Sequence, residues 1–448
     1  MKTPPARRDT ASSANLGELL VLAVILLPPL FFQEGKESFR LPKLMLAEWL
    51  GLASLLVLAF GLRTAGLPGP RRAWRGLPAL RAVLPSLLVA SLGLWTSAHP
   101  FHTREALADL WIGAACLVGW SVGLSASRQE GLLRATLWPA AILAAIGALQ
   151  FHRLWQPLQF TGIEWDPRLG LTSLAGNPGD LAACLVLPSL IAARALPERS
   201  GAGRAATAVA LGLCLYGIAL TQTIAALAAV ALGLAVYGWG VVPRRRALAA
   251  LALGALLAAA VVLAVAPLRA RVAGKLGALA AGDLNAVLTG RLDGWRAAVW
   301  MLSHHPVTGV GQGAYLPEFS PAKLALLDRG VKFLPGQTQP VFANAHNEIL
   351  EVGAEWGVPG LLALAWGIWT LLATRLRRSR VDRMEGEDKE EEAEPDRDRA
   401  LAWGGIAALA LLSLAYFPFR VAIIAYPAIL FLAWVLRPGS ELGEEEEA

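Results

Sequence analysis

Charge is what this sequence has least of, and its scarcity excludes an ordinary soluble domain. Only 17% of its 448 residues are Asp, Glu, Lys or Arg, against about 25% in soluble globular proteins. Cysteine is almost as rare. Cys116, Cys184 and Cys214 each sit in an apolar stretch without ligand spacing, which leaves no disulfide framework and no thiolate metal site, only small buried hydrophobes. A cleavable leader is not expected either, because the first apolar run ends on Gln33-Glu34-Gly35-Lys36 and not on small residues.

What the sequence has in abundance is apolar length. Hydrophobic residues make up 55% of the chain and its mean hydropathy is +0.50. They come in uninterrupted runs long enough to cross a bilayer as helices, about 20 residues each. Continuous runs exclude a barrel, whose strands alternate, and lipid tolerates only backbones that satisfy their own hydrogen bonds. The expected spans are 16–32, 42–62, 78–98, 106–125, 132–151, 180–196, 205–222, 224–242, 247–266, 347–373, 400–416 and 421–436. The Lys/Arg excess of the short loops tests this count, since it belongs on the cytoplasmic side. It recurs at Lys2-Arg7-Arg8, Arg63–Arg81, Arg128 and Arg134, Arg194–Arg204, Arg244–Arg246 and Arg375–Arg380, always on one side. The net charge of +6 therefore reports topology, and no nucleic-acid partner is expected.

The fold class read from this pattern is an all-α polytopic membrane protein. It has about twelve transmembrane helices and both termini cytoplasmic. Residues 1–266 hold spans one to nine, 267–346 a large periplasmic loop of short amphipathic helices, and 347–436 spans ten to twelve. An acidic cytoplasmic loop at 381–398 and an acidic tail at 437–448 have too few apolar residues to fold and are expected to be disordered.

The chemistry-bearing residues gather around the long loop. It carries a basic surplus (Arg269, Arg271, Lys275, Arg291, Arg296, Lys323, Arg329, Lys332) that the topology rule does not explain. A phosphate-bearing ligand at the membrane surface would explain it, because guanidinium forks match phosphate oxygens. Each cation taken singly reads first as solvated surface charge. Arg291 and Arg296 stand apart, since Gly290-Arg291-Leu292-Asp293-Gly294-Trp295-Arg296 opens an amphipathic helix. His346 ends the loop immediately before span ten. Kept neutral at a helix start, it is placed to act as a general base, although a lone interfacial histidine is also a common structural residue. Glu355, deep in span ten, is a functional candidate with a helix–helix polar contact as its alternative. No metal ligand set and no cofactor motif is present.

Three segments together carry a resemblance. Gly290-Arg291…Trp295…Pro306-Val307-Thr308-Gly309-Val310-Gly311, then His346-Asn347-Glu348-Ile349-Leu350-Glu351…Glu355-Trp356-Gly357-Val358-Pro359-Gly360, and earlier Gly176-Asn177-Pro178-Gly179-Asp180, resemble the O-antigen ligase/polymerase superfamily. The resemblance spans about residues 165–375. It implies an inverting, metal-independent glycosyl transfer on the periplasmic face of the bacterial inner membrane. The donor would be a glycan on undecaprenyl pyrophosphate, and the acceptor a lipid A-core or glycan hydroxyl. His346 and Arg291 would be catalytic, with Asn177, Gln222, Asn347 and Glu355 among the substrate-binding residues. The family often has Ser-Arg at the outer start of the eighth span, where this chain has Thr223-Ile224. Arg420, Arg168 or Arg296 is then left to supply the second phosphate contact. Ligase, polymerase and protein glycosylation differ only in acceptor, and the compact loop with its single His-Asn motif favours the ligase. A transporter is the main rival, but the largest loop lies outside and not between two six-span halves.

This topology is testable by reporter fusion. A phosphatase or fluorescent reporter within 383–398 should read cytoplasmic and one within 325–335 periplasmic; the reverse pattern would overturn the orientation.

Overall fold

A computed structural model describes residues 6–33, 39–65, 76–156, 168, 170–249, 266–334, 341–387 and 396–438, with 252, 256 and 263 between them. Every regular element among these residues is helical. Nine helices are long and apolar enough to cross a membrane: Leu41–Gly61, Pro78–Thr96, Pro100–Gly123, Ala126–Phe151, Pro178–Glu198, Gly201–Thr221, Ile224–Val241, Glu348–Arg377 and Arg397–Ala415. Asn15–Leu30 and Ala422–Val435 are apolar but shorter. These eleven match eleven of the expected spans. The remaining one, 247–266, falls mostly outside the described residues.

Pro178–Glu198 is the hub of the bundle. In it 78% of the most apolar window is buried, against 22–56% in the other long helices, so it faces protein all round while the others show a side to lipid. Close approach elsewhere rests on small residues, as expected where lipid is as apolar as leucine. A Cβ on Gly404 would sit 2.7 Å from the Gly233 carbonyl oxygen, so helices Ile224–Val241 and Arg397–Ala415 pack backbone to backbone. Charges within the bundle are put to local use. Lys43 is 2% exposed and donates to the carbonyls of Pro28, Pro29 and Phe31, at 3.0, 3.0 and 2.6 Å, closing the open end of the first helix.

The 267–346 segment forms four helices over one end of the bundle: Ala266–Ala280, Leu284–Val287, Arg291–His304 and Tyr315–Asp328. The first begins where span nine was expected to end. Thr289 and Gly290 both have positive φ, 58° and 82°, and break the helical periodicity of 284–302 into two helices. A second core of Ala297, Ala298, Met301, Val310, Tyr315, Phe319, Phe342 and Ala345 holds this layer together.

Two expectations are adjusted. The helix Glu348–Glu387 runs further into the acidic stretch than expected, since extending a helix costs little once it is nucleated. Asp396 caps the next helix through the Arg399 amide at 2.8 Å. Of the expected disorder at 381–398, residues 388–395 lie outside the described residues. The long helix is also not continuous. Gly357 (φ 69°, ψ −163°) breaks it, leaving a half-helix over 348–356. The broken end is capped from outside: the amides of Val310 and Gly311 donate to Ala354 and Glu355 carbonyls at 2.9 Å each, and the Val358 amide donates to Pro306 at 2.7 Å. A Cβ at Gly357 would lie 2.6 Å from the Pro306 oxygen. The Pro306–Gly311 motif thus has a mechanical role, that of stabilising a break within a span.

Candidate functional site

The half-helix 348–356 points its N-terminus at the layer of helices above, and His346 sits at that end. Asn347 caps it, its Oδ1 accepting from the Leu350 amide at 3.0 Å while its Nδ2 donates to the Leu414 carbonyl at 3.1 Å. His346 itself is left-handed (φ 56°). A bulky side chain is uncommon there, and such backbone strain clusters at functional sites. Its ring is walled by Phe342, Tyr416 and Phe417 at 5.8, 6.3 and 4.9 Å between centroids. His346 Nδ1 is buried and has no hydrogen-bond partner.

Arg291 opens the helix Arg291–His304, whose first turn lies on the His346 segment. A Cβ on Gly294 would be 3.3 Å from the Ala345 carbonyl oxygen, and Tyr315 fixes that turn by donating to the Gly294 carbonyl at 2.8 Å. Arg291 reaches only the Leu288 carbonyl, at 3.4 Å, and its Nε is buried without a partner. In the same helical turn, Trp295 Nε1 is buried and unpartnered as well.

A further arginine belongs to this site that sequence reasoning missed. Arg40, at the start of the second helix, pairs with Asp180 (Nε–Oδ2 3.1 Å, Nη2–Oδ1 3.2 Å) and lies over the Phe417 ring at 5.4 Å. Asp180 is 1% exposed and also accepts from Asn177 Nδ2 at 2.6 Å and from the Tyr416 hydroxyl. Asn177 is therefore occupied as the cap of the central helix and as a partner of Asp180. Burial, and then the charges of Arg291 and Arg40, push the His346 pKa down to about 3. The ring is neutral throughout the physiological range. Arg291 is lowered from its ordinary value by burial and by Arg271.

The candidate phosphate arginines separate in space. Arg420 is committed elsewhere: its Nε lies 3.2 Å from Glu351 and 4.0 Å from Glu348, and its Nη2 2.6 Å from Glu355. Burial opposes its charge, but Glu351, Glu355 and Glu348 outweigh this and raise its pKa. Glu355 is in turn held by the Gly313 amide at 3.0 Å, a structural contact like the polar alternative considered for it. Arg296 turns away to the Lys332 carbonyl at 2.8 Å and to Asp293 at 3.6 Å. Arg168 donates to the Thr221 carbonyl at 2.7 Å, and Gln222 (φ 51°) accepts from Arg271 at 3.1 Å. His99 pairs with Glu318 at 2.9 Å and His152 with the Tyr216 hydroxyl at 2.5 Å, so both serve contacts within the fold. His304 and His305 are exposed. Among the described residues no group of three or more His, Cys, Asp or Glu is arranged to hold a metal.

Residues 209–365, about a third of the chain, match the O-antigen ligase family model. No curated protein matches the sequence. The match covers Gln222, Arg291, His346 and Glu355, and it supports the O-antigen ligase-like superfamily that the motifs resemble.

Arg420 gives the sharpest test of this charge arrangement. Replacing it with Ala strands three glutamates in a buried place and should cost about 3 kcal/mol or more, read as a lowered thermal midpoint of the purified protein. Adding Glu351→Gln should recover part of the loss. An unchanged midpoint in Arg420→Ala would exclude the clamp.

Proposed function

We propose that this chain is a glycosyltransferase of the O-antigen ligase type, working on the periplasmic face of the bacterial inner membrane in a twelve-span topology. It moves a glycan from undecaprenyl pyrophosphate to an acceptor hydroxyl, on lipid A-core in the ligase reading and on a growing glycan in the polymerase reading. The observation that carries this is the pairing of a half-buried, neutral histidine with a half-buried arginine, each with a buried nitrogen that has no partner. A neutral ring can take a proton. A guanidinium without a carboxylate can hold a phosphate.

In the reaction the acceptor oxygen attacks the anomeric carbon as the carbon–oxygen bond to the pyrophosphate breaks. The hydroxyl proton passes to His346, and the electron pair leaves with the pyrophosphate. Arg291 stabilises the charge that develops on the leaving phosphate, the kind of preorganised electrostatics that supplies much of an enzyme's rate. Attack from the face opposite the pyrophosphate inverts the anomeric carbon. No metal is needed to generate the nucleophile, because the base is already unprotonated.

In the donor-free protein His346 is a weak base, since burial and then the arginine charges oppose its protonation. An anionic donor neutralises those charges, and the ring becomes more basic once the donor is bound. Premature proton capture is thereby avoided, and the site acquires its base together with its electrophile.

His346→Ala should lower transfer by about 10²-fold or more with membrane level unchanged. Arg291→Lys should lose most activity, because a point charge does not replace a fork. Both are read by lipopolysaccharide banding in ligase-null and polymerase-null strains, which also fixes the acceptor; transfer at the wild-type rate by His346→Ala removes the general base. The pH profiles follow from the same electrostatics. Activity is present while His346 is unprotonated and is lost as pH falls through its pKa. That pKa is higher with donor bound, so the acid limb of kcat should lie at higher pH than that of kcat/KM. Coincident limbs would contradict the coupling.

A further inference from the structure

The end of the bundle that the Lys/Arg rule puts in the cytoplasm holds two kinds of arginine. One kind is neutralised within the fold: Arg128 pairs with Glu18, Arg134 with Glu130 and Glu198, and Arg194 with Glu198 and Asp398. The other kind gathers where helices Pro78–Thr96 and Glu348–Glu387 meet, and the sequence supplies it with no acid. No Asp or Glu stands between Glu48 and Glu105, a stretch that holds Arg63 to Arg81. None stands between Glu355 and Asp382, which bracket Arg375 to Arg380. The topology rule accounts for arginines on this side. It does not account for one set being paired and the other left open.

The two helices bring members of the open set together. A Cβ added to Gly367 would be 2.8 Å from the Ala82 carbonyl oxygen, and the Trp366 indole donates to the Arg81 carbonyl at 3.0 Å. Further along, Ala90 clusters with Val352 and Trp356, so the helices run antiparallel. Side chains lean toward the N-terminus of their own helix. Arg81 therefore leans toward the cytoplasm and Arg377 back toward the membrane, and the charge of Arg377 acts on Arg81. Neither has an ion pair among the described residues, and Arg81 Nε is buried without a partner. The helix start beside them has no side-chain cap and no acid in its first turn, so its positive end adds to the field. Toward the middle of the bundle, Leu88 and Leu92 on one helix and Leu362, Trp366 and Trp369 on the other are exposed.

We propose that Arg81 and Arg377 form a binding site for the phosphodiester of an anionic phospholipid of the inner leaflet, whose acyl chains lie along the exposed leucines and tryptophans. A phosphodiester carries one negative charge and matches guanidinium groups that have no carboxylate. The apolar surface next to the two cations selects a lipid over a free phosphate, and basic pockets between spans on this side are where such headgroups collect. Bound there, the lipid removes the repulsion between the two cations. It also braces the long helix on the cytoplasmic side of its Gly357 break. The proposal rests on the orientation of the spans and not on glycosyl transfer.

Native mass spectrometry of the delipidated full-length protein, titrated with phosphatidylglycerol or with phosphatidylcholine of the same chains, tests it. The wild type should retain one phosphatidylglycerol at concentrations where phosphatidylcholine does not bind. Arg81→Gln combined with Arg377→Gln should weaken that retention about tenfold or more, as expected for two cations at the membrane surface. The neighbouring arginines keep the topology signal. Arg377→Glu, at an exposed position, is the second variant: its carboxylate gives Arg81 an internal partner and should weaken retention likewise. Arg245→Gln with Arg246→Gln removes two exposed cations elsewhere at the same end and should leave retention unchanged. Wild-type retention in both Arg377 variants overturns the proposal, as does equal retention of the two lipids. Equal weakening by the two double variants also overturns it, since the attraction would then be to basic loops in general. Displacement by an equal concentration of inorganic phosphate removes the lipid as occupant. The readout is lipid retention and not glycan transfer, so failure here leaves the function proposed above intact.

Discussion

Arg420 lies within 4.0 Å of the carboxylates of Glu348, Glu351 and Glu355, while Arg291 has none among the described residues, and this sorting of charge is what the site depends on. The glutamates occupy one face of the half-helix 348–356. They are held by Arg420, by the Asn344 side chain and the Ala345 amide, each at 2.9 Å to Glu351, and by the Gly313 amide to Glu355. Anionic charge close to His346 is thereby absorbed, and burial together with the charges of Arg291 and Arg40 keeps the ring neutral. Had Arg420 been free to bind phosphate, three buried carboxylates would have lain beside an anionic ligand, each opposing it.

The geometry follows from that arrangement. Glu351 accepts from the residues just before His346, which fixes the loop that carries the histidine, and Asn347 closes the helix start below it. The break at Gly357 lets the half-helix leave the line of the span, and the Pro306–Gly311 segment takes up the carbonyls that the break releases. On the other flank, Asp180 gathers Arg40, Asn177 and Tyr416 at the head of the most buried helix. The site is thus built where rigid elements meet.

Much of this was legible in the sequence. Spans are written in long apolar runs because lipid permits little else, and eleven of the expected twelve reappear as apolar helices among the described residues. The Arg291 and His346 motifs pointed to a shared site. What escaped was pairing across sequence. Arg40 lies in a short loop between two spans, and only the tertiary contact with Asp180 brings it to the histidine. Arg420 was a phosphate candidate because its partners were not recognised, although Glu348, Glu351 and Glu355 follow helical spacing and would crowd one face without a cation. Gly309 and Gly311 read as motif residues, and their use in capping a broken helix needs the break itself to be seen.

The most direct test of the central claim is the protonation state of His346 itself, followed through the ring nitrogens of histidine-labelled protein, with His346→Gln identifying its signal among the 6 histidines. The account predicts a ring that stays neutral well below the ordinary histidine value of 6.5 in the ligand-free protein and that protonates at higher pH once inorganic pyrophosphate is added. A ring that titrates near 6.5 and is indifferent to pyrophosphate would contradict it.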